Sequence, residues 1–248
     1  MKIFKDKQSL TKGLSKVKSV SFVPTMGGLH DGHLSLIRKA KKYKKKILVS
    51  IYVNPKQFNK MSDYKSYPRT LSKDIKKLKN LNINFLFLPS KKDIFGFKPN
   101  NKIFVDKFSK QLCGKFRKGH FEGVIDVMER LTRIIKPKKI FMGEKDYQQL
   151  YLVKRYIEKK YKSKIISCKT IRDKSKLALS SRNLLLDKKE LIKAGKFTKN
   201  LISIKKKMLN KTNINQLLLN KKIEFNKLNN IKIEYLELRN ILNLKSSN

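Results

Sequence analysis

Residues Val23-Pro24-Thr25-Met26-Gly27-Gly28-Leu29-His30-Asp31-Gly32-His33 join glycines able to bend tightly with two imidazoles three positions apart. An apolar, β-branched run precedes them and a 3.6-residue apolar period follows, so the segment reads as strand, glycine-rich loop, helix. Such a junction aims backbone N–H groups and the positive end of a helix dipole at the carboxyl edge of a strand, where a polyphosphate sits. Imidazoles donate to phosphate oxygens and, as cations, offset charge building on a pentacoordinate phosphorus. Taken alone, the glycines suit a plain structural turn equally well. His-x-x-His is also half of a metal site. The chain has only three histidines, the third being His120, and two cysteines, Cys113 and Cys168. A three-histidine zinc hydrolase would use every imidazole, and no His-Glu-x-x-His or Cys-x-x-Cys pattern supports it.

Three further segments carry chemistry. In Ser50-Ile51-Tyr52-Val53-Asn54-Pro55-Lys56-Gln57-Phe58 a strand stops at an Asn-Pro turn, leaving Asn54 and Gln57 on a loop at the sheet's edge. Gln57 offers both a donor and an acceptor, suited to a hydroxyl and a carboxylate on one small substrate. In Phe141-Met142-Gly143-Glu144-Lys145-Asp146-Tyr147-Gln148-Gln149, Gly143 admits close approach, Lys145 brings a point charge for phosphate and Asp146 accepts from ribose hydroxyls. In Leu177-Ala178-Leu179-Ser180-Ser181-Arg182-Asn183, two hydroxyls and a guanidinium can wrap a triphosphate. A helix cap at Ser180 or Ser181 fits that segment as well.

The elements that must position these groups alternate. Strands are expected at 20–23, 47–53, 84–88, 139–141 and 164–167, and helices at 33–45, 70–80, 123–135 and 147–160, the third stopped by Pro137. This is the pattern of βαβ units: a Rossmann-like parallel sheet with helices on both faces and its strand-end loops on one edge. From 171 a polar loop leads to helical patterns between 187 and about 226 and a strand at 231–238. The expected organisation is therefore an α/β domain over 1–170 and a smaller α+β domain over 171–248.

Composition limits the classes. In 248 residues, 40% hydrophobic, the longest apolar stretch, 47–53, is too short to span a membrane, and no secretory core opens the chain. Two isolated cysteines give no disulfide framework, so a reducing cytoplasm is expected. The formal charge of +44 invites a nucleic-acid reading, but lysines occur throughout and only nine of the 62 basic residues are Arg. That is no reader's stripe, and compositional bias toward Lys, Asn and Ile suffices. No specific nucleic-acid or membrane partner is expected.

Six blocks then occur in a telling order: Thr25-Met26-Gly27 with Leu29-His30-Asp31-Gly32-His33, Val53-Asn54-Pro55 with Gln57-Phe58, Tyr67-Pro68-Arg69-Thr70, Gly119-His120-Phe121 with Gly123-Val124, Gly143-Glu144-Lys145-Asp146-Tyr147-Gln148-Gln149 and Ser180-Ser181-Arg182-Asn183. In these the chain resembles the pantothenate synthetase (pantoate–β-alanine ligase) family of the nucleotidylyltransferase superfamily. The resemblance implies an ATP-dependent ligase joining pantoate to β-alanine through a pantoyl-adenylate, with release of pyrophosphate and AMP. It also implies a closing C-terminal lid domain, a homodimer, and Mg²⁺ on the nucleotide. Carried across, His30, His33 and Lys145 are the catalytic residues. The ATP contacts are Met26, Gly27, Gly28, Leu29, His30, Asp31, Gly32, His33, Gly143, Glu144, Lys145, Asp146, Ile171, Leu179, Ser180, Ser181 and Arg182. Gln57, Gln149 and Met26 hold pantoate, Gln57 also meets β-alanine, and no protein-held metal is implied.

Departures from the family pattern set expectations too. Lys56 puts charge beside the pantoate loop, and Lys176 stiffens a place often held by glycine. Lys73 replaces an acidic residue before Asp74, and the chain stops soon after 234–238, implying a shortened second domain. An adenylyltransferase with another acceptor and a basic binding protein with a degenerate site stay open; the pair Gln57 and Gln149 discriminates against the first.

Overall fold

A computed structural model describes residues 1–98, 103, 105–208, 213–227 and 231–246. They divide into two compact units, one of Met1–Lys174 with Ala178–Leu191, the other of Ser175–Leu177 with Ile192–Asn248.

The larger unit runs β1 (Lys2–Phe4), α1 (Lys7–Leu14), β2 (Val20–Thr25), α2 (Asp31–Lys41), β3 (Lys46–Ile51), α3 (Met61–Ser66), α4 (Leu71–Asn80), β4 (Phe85–Phe87), α5 (Lys91–Phe95), α6 (Cys113–Phe116), α7 (His120–Ile135), β5 (Lys139–Gly143), α8 (Tyr147–Lys160) and β6 (Lys164–Cys168). The six strands form one sheet in the order β1-β4-β3-β2-β5-β6, every pair parallel. Because strands covered on both faces read as near-continuous apolar runs, β2 and β3 lack the alternation of a half-exposed sheet. Strand periodicity then sorts their side chains. Val23, Val49, Leu86 and Phe141 share a buried cluster with Leu36, Ile37 and Ala40 of α2 and Leu78 of α4. Phe22, Leu48, Phe87 and Ile140, of opposite parity, are equally buried, so the other face is covered as well. Each such side chain contributes roughly 1.5–3 kcal/mol by leaving water.

The strand order reverses between β2 and β5, the switch point at which open α/β sheets leave a crevice outside the carboxyl ends of the strands. The loop after β2 carries the histidines, and the turn after β5 carries Lys145.

Two departures have clear causes. The strand expected at 231–238 is absent: among the described residues 231–246 only an isolated bridge joins Arg239 to Ser246. Side chains of α10 (Ile214–Asn226) take the backbone groups a neighbouring strand would need. Asn226 Oδ1 accepts from Ile233 N at 2.7 Å and Lys222 Nζ donates to Glu234 O at 2.9 Å. The apolar residues of the segment, Ile233, Leu236 and Leu238, instead cover the core that α10 makes with α9 (Lys188–Met208), built on Ile204, Leu218 and Phe225. The polar loop, moreover, does not pass wholly into the smaller unit at 171. Ala178–Leu191 returns to the larger one, where Ser181 is buried. Lys176 has φ +75, so this lysine carries the left-handed conformation that glycine adopts freely.

Candidate active site

The loop after β2 is shaped by polar atoms from three other segments. Thr25 Oγ1 donates to Ser50 O at 2.8 Å and accepts from Gly27 N at 3.3 Å, tying the ends of β2 and β3 together. Gly27 and Gly28 then take φ +82 and +59, which a side chain would resist. The carboxylate of Asp74, 1% exposed, accepts from Gly28 N at 3.0 Å, Leu29 N at 2.8 Å and the Thr70 hydroxyl at 3.2 Å. Lys77 donates to Leu29 O. This corrects the expectation of an open cradle of N–H groups: two of those donors belong to a buried carboxylate, which makes the loop rigid and leaves anion recognition to the residues that follow.

Those are the histidines. His30 is the N-cap of α2; its Nδ1 accepts from Gly32 N at 3.1 Å, and His33 Nδ1 accepts from His30 N at 3.4 Å, a reciprocal capping box. The rings lie 4.1 Å apart. Gly32 is required here, since a Cβ would come within 2.7 Å of the His30 ring. A ring nitrogen that accepts from a backbone N–H is unprotonated, so in the neutral ring the proton is on Nε2. Neutrality is what the surroundings impose. Burial, then the charges of Lys145 and Lys77, hold His30 below the usual imidazole range; burial, then His30, Lys145 and Lys77, push His33 down to about 3. The expected imidazolium pair is thus, in the unliganded protein, two neutral Nε2–H donors at the positive end of a helix.

Gln57 is held from every side. Its amide donates to Met26 Sδ at 2.8 Å and its side-chain carbonyl accepts from Asn54 Nδ2 at 3.3 Å. Its backbone carbonyl accepts from Arg117 at 3.3 Å and pairs with His120 Nδ1 at 2.8 Å, which assigns that proton to Nδ1. Asn54, 1% exposed, also donates to Gly123 O at 3.0 Å. A Cβ on Gly123 would fall 2.3 Å from Lys56 O, so the absence of a side chain lets α7 lie flush against the turn. His120 is therefore the support of Gln57; burial pushes it down to about 4. No three His, Cys, Asp or Glu side chains gather as a metal centre among the described residues. Lys56 does not charge the site as expected. It pairs with Asp126 at 3.0 Å and lies over the Phe95 ring.

Gly143, Glu144, Lys145 and Asp146 form the turn between β5 and α8, with Lys145 paired to the exposed Asp146 at 3.4 Å. A side chain on Gly143 would meet nothing within 4 Å. Gln148 is not a ligand residue: buried, it donates to Phe108 O and Gln111 O and accepts from Cys113 N. The side chain of its neighbour Gln149 has no hydrogen-bond partner among the described residues. The backbones of Ile171 and Leu179 pair at 3.0 Å. Ser180 caps the short turn Ser181–Leu185, and Ser181 Oγ donates to Gly28 O at 2.9 Å. Arg182 forms a two-pronged pair with Asp63 at 2.8 and 3.0 Å. Asp31 lies outward, 3.8 Å from Arg38.

The structure thus joins the histidine loop to Gln57 through Met26 and to the serine loop through Gly28. The charge of Lys145 reaches both imidazoles. The supporting residues Asp74, Arg117, His120, Gly123 and Asp63 have no local signature, because each acts on a residue tens of positions away.

Comparison with known proteins agrees over the whole chain. Residues 2–248 match the family described as Pantoate-beta-alanine ligase. The pantothenate synthetase of Thermodesulfovibrio yellowstonii is 46% identical over 176 residues, 71% of this chain and 63% of that protein. That of Francisella tularensis subsp. novicida is 44% identical over 183 residues, 72% and 69% respectively. The crystal structure of pantothenate synthetase from Thermus thermophilus superposes with a TM-score of 0.91 at 29% identity, covering 100% of this chain and 90% of that one. A Francisella tularensis enzyme, described as complexed with β-γ ATP and β-alanine, superposes with a TM-score of 0.82 at 36% identity over 97% and 90%.

Proposed function

The chain belongs to the pantoate–β-alanine ligase family, and from that premise we propose that it condenses pantoate with β-alanine at the expense of ATP, through a pantoyl-adenylate, at the crevice between β2 and β5. The observation that carries this reading is the seat of Gln57. An adenylyltransferase needs the histidine loop; only one that must orient a small hydroxy acid needs beside it a glutamine whose side-chain amide is held by Met26 and Asn54 and whose backbone carbonyl is held by Arg117 and His120.

The residues divide the work. His30 and His33 present Nε2–H donors to the phosphates, and Lys145, with Ser180, Arg182 and a Ser181 hydroxyl turned from Gly28 O, completes the anion site. Gly143 leaves room for the nucleotide against the turn, and Asp146 accepts from its ribose. Gln57, Met26 and Gln149 hold pantoate so that its carboxylate meets the α-phosphorus in line as pyrophosphate leaves. The neutral amine of β-alanine, placed by Gln57, then attacks the acyl carbonyl and AMP departs. No side-chain nucleophile takes part. The second unit serves as a lid that keeps water from the mixed anhydride.

Mg²⁺ enters with ATP as part of the substrate. The loop's buried carboxylate, Asp74, has its oxygens committed to Gly28, Leu29 and Thr70, and Lys73 beside it offers no metal ligand. A homodimer in a reducing cytoplasm completes the reading, the latter in keeping with free thiols at Cys113 and Cys168.

Isotope exchange tests it. Labelled pyrophosphate should enter ATP when pantoate and Mg²⁺ are present and β-alanine is absent, because the first half-reaction is reversible without the amine. Exchange independent of pantoate, or ADP as product, would overturn the adenylate path.

A further inference from the structure

The block Tyr67-Pro68-Arg69-Thr70 has no part in the reaction as described, yet its side chains are heavily engaged. Arg69 donates to three carbonyls at the end of α3, those of Tyr64 at 2.9 Å, Lys65 at 3.1 Å and Tyr67 at 3.2 Å. It also lies over the Tyr64 ring. A six-residue helix is too short to persist alone, so this clamp is what keeps α3 in place. The residue α3 carries toward the site is Asp63.

Asp63 accepts from Arg182 Nε at 3.0 Å and from its Nη2 at 2.8 Å, one full edge of the guanidinium. The rings of Tyr67 and Phe58 flank the same group at 5.2 and 5.8 Å, themselves packed edge-on at 5.6 Å. The guanidinium is therefore fixed in plane and in depth, while Nη1 has no partner among the described residues. A guanidinium has five N–H donors in a rigid fork, so an arginine gripped by one edge still offers the other. Pairing with Arg182 holds the Asp63 carboxyl below its ordinary range.

We propose that Asp63 is a positioning residue, fixed by the Arg69 clamp on α3, which holds Arg182 by its Nε edge so that the Nη1 edge meets the triphosphate. This rests on the assignment of Arg182 to ATP made above. It gives the tyrosine–arginine block a purpose: Arg69 fixes the Asp63–Arg182 pair, and Thr70 joins the Asp74 carboxylate that fixes Gly28 and Leu29.

The test is a cycle of Asp63→Asn, Arg182→Ala and the double variant, read as separate KM values for the three substrates. Asparagine keeps the size but turns a donor toward Arg182. Asp63→Asn should raise KM for ATP about fivefold, the scale of a half-exposed ion pair. KM for pantoate and β-alanine should stay within about twofold. Arg182→Ala should raise KM for ATP further, and the double variant should be no worse than Arg182→Ala, since Asp63 acts only through the arginine. A lower KM for ATP in Asp63→Asn would make Asp63 a competitor of phosphate and overturn the proposal, as would additive effects or a silent Asp63→Asn beside an impaired Arg182→Ala. An unimpaired Arg182→Ala would instead remove the ATP assignment of Arg182, and the proposal with it.

Discussion

At the carboxyl edge of the sheet Lys145 and Lys77 stand with two imidazoles at the start of α2. At the amino edge Lys18, Arg133, Lys136, Lys138 and Lys162 line a hollow of about 630 Å³. Charge alone would rank the second place first. The difference lies in what the cations face. The amino-edge group gathers where α7 and α8 end, and the partial negative charge of helix C-termini offsets it. Two of the hydroxyls there are also spent inward, Ser163 on Pro137 O at 2.6 Å and Tyr161 on Glu129 at 2.5 Å. At the carboxyl edge the lysines meet a positive helix end and two rings forced neutral, so like adds to like and, beyond the exposed Asp146 that pairs with Lys145, the arrangement favours an anion. A chain of +44 distributes cations everywhere; only where the dipoles agree in sign do they make a site.

The sharpest way to break this comparison is to remove one cation from each edge. Lys145→Ala and His33→Ala should lower kcat by roughly 10²–10³, the effect of losing one preorganised donor to developing charge. Lys138→Ala and Lys162→Ala should leave steady-state rates within about twofold. Equal losses at the two edges would mean that net charge, and not geometry, draws the substrate.

A smaller effect separates support from contact. Gly123→Ala forces a Cβ to 2.3 Å from Lys56 O, so the turn must shift. We expect a loss of about 1–3 kcal/mol in stability, as for other overpacked sites, and a several-fold rise in KM for pantoate. Gly143→Ala meets no protein atom within 4 Å and should melt like the parent, while KM for ATP rises because the methyl takes nucleotide space. Melting curves together with substrate titrations check both; a Gly143→Ala variant with unchanged KM for ATP would free that turn from the nucleotide.

The same distinction explains what could be read in the chain. Strands β2 to β6 and helices α2, α4, α7 and α8 follow from their own periodicities. Lys2–Phe4 does not, because three residues give no period. The placing of His30, His33 and Gln57 on loops at strand ends is legible, since glycine, imidazole and Asn-Pro patterns are local. The roles of Asp74, Arg117, His120, Gly123 and Asp63 are not, since their meaning depends on partners 45, 60, 63, 67 and 119 residues away. The apolar alternation at 231–238 misled for a related reason: it marks side chains packing on helices, while α10 satisfies backbone groups that a strand neighbour would otherwise take.

The smallest expected effect is in protonation, and the three histidines supply both the test and its control. Burial is the leading cause of depression in each, with His33 near 3, His120 near 4 and His30 below 6.5. An unfolded histidine takes its proton near 6.5. Between that value and the folded ones the unfolded chain binds more protons, so stability rises with pH across this window. It is fully present above about 6.5 and is lost as pH falls toward 4 and then 3. Nuclear magnetic resonance of the ring protons in the unliganded protein should therefore show His33 and His120 not titrating between pH 8 and 5. Nitrogen shifts should place the proton on Nε2 in His30 and His33 but on Nδ1 in His120. Adding a non-hydrolysable ATP analogue brings negative charge to the carboxyl edge, which should raise the pKa of His30 and His33 and leave His120, committed to Gln57 O, where it was. If His120 moves as far as the other two, or His33 titrates near 6.5 without ligand, the division between imidazoles that meet phosphate and the imidazole that props up Gln57 fails.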